Sequence, residues 1–108
     1  MCDTLTFYKS LAEETRLKSL FLISQHRELC VCDLMTALSL SQPKVSRHLA
    51  ELRKNGLVID ERRGKWVYYQ INPQLPDWMR QVLVMSMENN RSLIAKESQT
   101  IKQYSCTN

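Results

Sequence analysis

Two cysteines separated by one residue, Cys30-Val31-Cys32, carry the sharpest chemistry in this 108-residue chain. Cysteine thiolate is a soft ligand and selects soft, thiophilic ions. The spacing is not the Cys-x-x-Cys of a thioredoxin-like redox motif. Along a regular helix a two-residue step turns a side chain by about 200°, so the two thiols would point to nearly opposite sides. One ion holds both only where the backbone unwinds or is not helical. Near a helix N-terminus the Cys32 thiol is expected to ionise more easily. Read as packing alone, the pair are two small buried apolar residues.

A second group of residues has the types needed to read DNA. Between Ser41 and His48, Val45 is expected in the core, leaving Gln42, Lys44, Ser46 and Arg47 outward. Glutamine pairs with adenine, and arginine or lysine with guanine, in the major groove. His48 serves packing or capping equally well. Arg62, Arg63 and Lys65 follow in a charged turn, suited to phosphate or minor-groove contact. Arg53 and Lys54 read equally as an exposed helix face. From Ser41 to Lys65 seven basic residues stand against three acidic ones, and outside that stretch eight of each cancel. The whole +4 excess therefore lies in one segment, as a polyanion binder needs.

These residues require elements to hold them. Leu5, Tyr8, Leu11 and Ala12 recur at helical spacing and predict a first short helix. A second runs from Thr15 to about Gln25, with Leu17, Leu20, Phe21 and Ile23 inward. A third spans about Cys32 to Leu38, followed by a turn at Ser39-Leu40-Ser41. The fourth runs from about Gln42 to Asn55, with Ser41 as N-cap and Pro43 in its first turn. Asn55-Gly56 ends it. Leu57-Val58-Ile59, the polar stretch Glu61 to Lys65, then Trp66 to Ile71 read as strand, turn, strand. The last third is helical from about Leu75, with a broad apolar face through Trp78, Met79, Val82, Leu83, Met85 and Met87. The stripe continues at Leu93 and Ile94, and the tail after Tyr104 is expected to fray.

The expected fold is therefore mainly α with a β-hairpin wing: one winged helix-turn-helix domain over residues 1–108. The helix-turn-helix would occupy 32–55 and the wing 57–71, with residues 1–12 and 75–101 as dimerisation helices. A module of this size specifies DNA best as a dimer on two half-sites about 34–36 Å apart. No apolar run approaches the roughly 18 residues of a membrane span. The N-terminus, with Asp3, lacks the layout of a secretory signal. A reducing cytoplasm is expected, where structural disulfides are rare. The chain also lacks a Gly-rich phosphate loop and a histidine placed as a base, which argues against an enzyme.

Four segments in order, Leu11-Ala12-Glu13-Glu14-Thr15-Arg16-Leu17, Glu28-Leu29-Cys30-Val31-Cys32-Asp33-Leu34, Ser41 to Leu49 and Gly64-Lys65-Trp66-Val67-Tyr68-Tyr69, resemble the ArsR/SmtB family, and within it the arsenic-responsive ArsR repressors. The likeness covers about residues 5 to 80. It implies a homodimeric repressor on double-stranded operator DNA, with no required cofactor, released by trivalent arsenic or antimony at Cys30 and Cys32. Trivalent arsenic prefers three sulfurs. Family members often place a third cysteine three positions after the second, and here Met35 stands there. The third ligand is then absent, a small thiol or water, or one of Cys2 and Cys106. The zinc-sensing branch uses histidines and carboxylates on the last helix, and this chain has only His26 and His48, neither of them there. A thiol redox sensor of the same fold, in which Cys30 and Cys32 oxidise without a metal, is the alternative.

Overall fold

The computed structural model describes residues 2–104. The order is α1 (Thr4–Leu11), α2 (Glu14–His26), β1 (Glu28–Cys30), α3 (Val31–Leu38), α4 (Gln42–Lys54), β2 (Val58–Arg63), β3 (Trp66–Ile71) and α5 (Asp77–Glu88), then a 3-10 turn (Arg91–Ile94) and α6 (Ala95–Tyr104). α2 lies at the centre, against α1, α4, α5, β1 and β3. Leu20, Leu22 and Ile23 on it are fully buried beside Phe7, Leu34, Leu49, Leu52 and Leu83. Truncating one such leucine costs about 2–5 kcal/mol, so the elements are firmly seated on one another.

Two short helices, a tight turn and a hairpin give a winged helix-turn-helix, as the sequence predicts. Ser41 caps α4 by accepting from the Lys44 N–H at 3.4 Å. Pro43 sits in the first turn of α4, where no intrahelical donor is missed. Ser39 turns the chain between α3 and α4 in the left-handed region (φ 55°). The wing strands are longer than expected. β2 runs to Arg63, leaving only Gly64-Lys65 as the turn, with Arg63 facing Trp66 in the register. Gly64 has φ +63°, the backbone sign that a two-residue hairpin turn of this hand requires.

β1 was not expected. It adds a third strand, giving the antiparallel order β1-β3-β2. Cys30 pairs with Tyr68 and Glu28 with Gln70. Cys30 ends this strand and also begins α3, as its N-cap, with φ −88° and ψ 165°. Its Sγ accepts the Asp33 N–H at 3.4 Å, while the Asp33 carboxylate accepts the Cys30 N–H at 3.3 Å. This is a capping box with sulfur in the place of a hydroxyl.

The C-terminal third is not one stripe. α5 leads through the 3-10 turn into α6, which folds back onto α3. Lys18 bridges to Glu97 at 3.1 Å, His26 Nε2 meets Ser98 Oγ at 3.0 Å, and Ile101 is buried. In α1 the inward residues are Phe7 and Ser10, whereas Leu5 and Tyr8 point outward.

Two expectations follow. Burial, reinforced by Lys102 and opposed by Asp33, holds the His26 imidazole below its ordinary pKa. Unfolding then takes up a proton as the pH falls through about 6.5, so stability declines on that side. The melting temperature should drop between pH 7.5 and 5.5, and His26→Gln should flatten the drop; an equal slope in both proteins would remove His26 as its source. At the cap, Cys30→Ser should keep α3 anchored, because serine is a strong N-cap. Cys30→Val should lose about 0.5–2 kcal/mol against it in urea denaturation. Equal midpoints would mean that the sulfur cap contributes nothing.

Candidate functional site

The groove-reading candidates spread over the part of α4 that is not packed on the core. Val45, Leu49 and Leu52 are buried, which turns Gln42, Lys44 and Arg47 to solvent, with Ser46 half-buried. Gln42 donates from Nε2 to Ser46 Oγ at 2.7 Å, so these two side chains already hold each other on the exposed surface. The helix N-terminus they crowd carries the positive end of the helix dipole, which favours phosphate. His48 is turned back: its Nδ1 lies 3.7 Å from the Glu13 carboxylate at the start of α2.

The wing residues divide. Arg62 and Lys65 are exposed at the hairpin tip, Lys65 with its Nζ 5.3 Å from the Trp66 ring centre. Arg63 instead reaches across the sheet. Its guanidinium forks onto Glu28 at 2.6 and 2.9 Å, donates from Nε to Glu61 at 2.7 Å, and lies 4.6 Å from the Tyr68 ring centre. The hydrogen bonds from Arg63 hold the Glu28 carboxyl below its usual range. Arg53 is likewise engaged, with Asp60 at 2.9 Å.

The thiol pair sits where the sheet enters α3. Because Cys30 is extended and only Cys32 is helical, the 200° separation of two helical residues does not apply to them. The condition that the backbone there is not helical is met at Cys30 without unwinding. Cys30 is buried and a free thiol. Burial pushes its pKa up, and the Asp33 carboxylate adds to the rise. Cys32 is half-buried and, against the expectation of reduced thiols, disulfide-bonded. Cys2 is buried elsewhere, in a cleft with Gly56, Asn72 and Leu75. Cys106 lies outside the described residues. Among the described residues no cluster of three His, Cys, Asp or Glu is arranged to hold a metal ion.

One cleft of about 250 Å³ is lined by residues of both candidate groups. Cys30, Val31, Cys32 and Met35 form its α3 side, Gln42 comes from the start of α4, and Lys65, Trp66 and Val67 come from the wing. Sequence reasoning named the thiols and the groove readers but missed Asp33, Glu28 and Trp66. Asp33 was findable, since an acidic residue three positions after a cap is the capping-box spacing. Glu28 lies 35 residues from Arg63 and gave no local signal.

Residues 13–60 match the family model of the bacterial regulatory proteins of the arsR family. The chain is 48% identical over 95 residues to the arsenic resistance transcriptional regulator ArsR2 of Pseudomonas putida, covering 88% of this chain and 83% of that one. It is 54% identical over 76 residues to the arsenical resistance operon repressor of Escherichia coli K12, covering 70% and 65% of the two chains. The structure of the antimony-specific transcriptional repressor AntR superimposes with a TM-score of 0.64 at 26% identity, covering 88% of this chain and 79% of that one. A helix-turn-helix with a wing, and sequence identity extending well beyond it, place this chain in the arsR family of bacterial regulatory proteins: it is a DNA-binding regulator of transcription and not an enzyme.

Proposed function

We propose that this protein is a cytoplasmic, homodimeric repressor that holds operator DNA and lets go when trivalent arsenic or antimony bonds to Cys30 and Cys32. The observation that carries this reading is the shared cleft, whose lining includes Cys30 and Cys32 together with Gln42 of the proposed groove-reading helix and Lys65 of the wing. Relatives described as arsenic-resistance regulators and an antimony-specific repressor support the choice of inducer. In the membrane-spanning sense the described residues offer nothing: no helix is long and apolar enough to cross a bilayer.

On DNA, Gln42, Lys44, Ser46 and Arg47 read base edges, while Arg62 and Lys65 take phosphates and Arg63 braces the wing. Two copies meet through α1 and α5. Leu5, Tyr8, Trp78, Val84 and Met85 are all at least 40% exposed there, an apolar set that one core leaves uncovered. Tyr8 and Trp78 flank buried Phe7, with ring centres 5.2 and 5.4 Å from it, so the patch is rigidly backed.

The inducer step is a ligand exchange. Each cysteine S–H gives its proton to a hydroxide leaving arsenic, two waters depart, and two As–S bonds form with no change of oxidation state. Cys32 must first be reduced. Bonding re-aims the Cys30 sulfur away from the Asp33 N–H, and the cap that joins β1 to α3 weakens. Release needs a coupling of about 1–3 kcal/mol, or 5–150-fold in affinity. In the redox alternative the oxidised state is a disulfide at Cys32 with a partner other than Cys30, which is a free thiol. In that case oxidation itself, rather than arsenic, would be the signal.

Fluorescence anisotropy on a promoter fragment from upstream of its own gene separates these readings. With a phosphine reductant present, arsenite or antimonite should release the native protein, and zinc should not. Cys30→Ser and Cys32→Ser should both retain DNA and lose the response. Normal release of Cys32→Ser at the native arsenite dose would falsify the assigned sensor. On the same fragment Arg47→Ala should weaken binding by about 1–3 kcal/mol; an unchanged affinity would take Arg47 out of the groove.

A further inference from the structure

We propose that a second cleft, whose lining contains neither Cys30 nor Cys32, binds a small organic carboxylate. Arg27 and Arg80 take the anionic group, and an aryl or alkyl body rests on the apolar floor between α2, β3 and α5.

The cleft encloses about 260 Å³ where the C-terminal end of α2, strand β3 and helix α5 meet. Two arginines line it and no aspartate or glutamate does. The acids closest to them in sequence are committed elsewhere. Glu28 accepts the Arg63 fork, and Asp77 takes one guanidinium nitrogen of Arg80 while lining a neighbouring cleft. Arg80 therefore keeps its other N–H groups. The C-terminal end of α2 opposes an anion with about half a unit charge, which two guanidiniums outweigh.

Arg27 is held there at a conformational cost. It ends α2 with φ 74° and ψ −48°, near the strained γ-turn region that glycine enters freely. Strained positions of this kind concentrate at ligand clamps. Among the described residues Arg27 meets no carboxylate and no aromatic ring, whereas Arg53, Arg63 and Arg80 each hold an acid. Its exposed guanidinium is thus a donor set without an acceptor.

The rest of the lining selects the ligand's body. Ile23 and Leu83, both buried, form the floor with Ile71, and Val84 continues it toward the proposed dimer patch. Ser24 and Gln70 add a hydroxyl and an amide as neutral donors. Apolar walls with a few converging polar groups are the make-up of a small-molecule site. An apolar cavity of about 150 Å³ holds benzene, so this one has room for a ring, a short spacer and a carboxylate. Carboxylate pairs with one guanidinium as a planar fork and leaves lone pairs for the second. Bare phosphate would match the arginines but leave the floor to water.

A ligand-observed NMR titration at pH 7.5 tests this on the full chain as it assembles in solution. The probes are 3-phenylpropionate and its neutral isostere 3-phenylpropanamide, with inorganic phosphate as competitor. 3-Phenylpropionate should bind saturably, and the amide at least about tenfold more weakly, the scale of one lost charge-assisted hydrogen bond. A tenfold excess of phosphate should not displace it. Arg80→Gln, on an exposed helix face, and Arg27→Gly, which relieves the backbone, should each weaken 3-phenylpropionate by a similar factor. Arg91→Gln, which removes a cation outside the cleft, should leave its affinity within twofold. No saturable binding at millimolar 3-phenylpropionate overturns the proposal. So does an amide that binds equally well, displacement by phosphate, native affinity in Arg80→Gln, or an equal loss in Arg91→Gln.

Discussion

Cys30 is held by two structures at once. Its backbone closes the β1–β3 ladder opposite Tyr68, and its sulfur caps α3. A residue in only one of these roles could move without consequence for the other element. Here a change in sulfur direction is felt both by the sheet that continues into the wing and by the helix that packs on the groove reader. Its near-complete burial makes the joint stiff, since neither the sulfur nor the neighbouring N–H can turn to water instead. In the proposed function, sensing and reading are therefore neighbours along one cleft, and that reading needs no long transmission path through the core.

Charge in the wing is organised by the same joint. The basic segment has seven cations in sequence, yet Arg53 and Arg63 are spoken for by carboxylates. Exposed ion pairs contribute only about 0–1 kcal/mol each, so the Arg63–Glu28 fork matters less as stability than as alignment. It ties the end of β2 to β1 two residues before Cys30, across the face of Tyr68. The cations on the exposed face of α4 and at the hairpin tip, Lys44, Arg47, Arg62 and Lys65, are the ones positioned to meet a phosphate backbone.

Much of this was legible in the sequence because its signals are local. Ser41 and Pro43 start α4, Asn55-Gly56 ends it, and Gly64 between β-branched and aromatic runs makes the hairpin. What escaped is non-local. β1 is three residues long, too short for any periodicity, and exists only because β3 accepts it. The conditional reading of the thiols, that the backbone there unwinds or is not helical, resolves to the second case because β1 holds Cys30 extended. In α1 the helix was readable from Leu5, Tyr8 and Leu11, but its inward residue is Phe7, and no local rule separates a core face from a partner-facing one. The break before α6 has no glycine or proline to announce it. It is fixed by Glu97 and Ser98 finding Lys18 and His26 on α2.

The energy scale of the switch follows from these contacts. An N-cap interaction is worth about 0.5–2 kcal/mol, and a useful allosteric coupling is about 1–3 kcal/mol. In the proposed homodimer, one weakened cap in each subunit spans that range without disturbing the core. The buried leucines beneath α3 and α4 need not move, because each would cost as much as the entire coupling. A sensor built on a cap therefore keeps fold stability and regulatory energy separate. In the proposed switch the thiol pair responds while α2, packed against α1, α4, α5, β1 and β3, stays where it is.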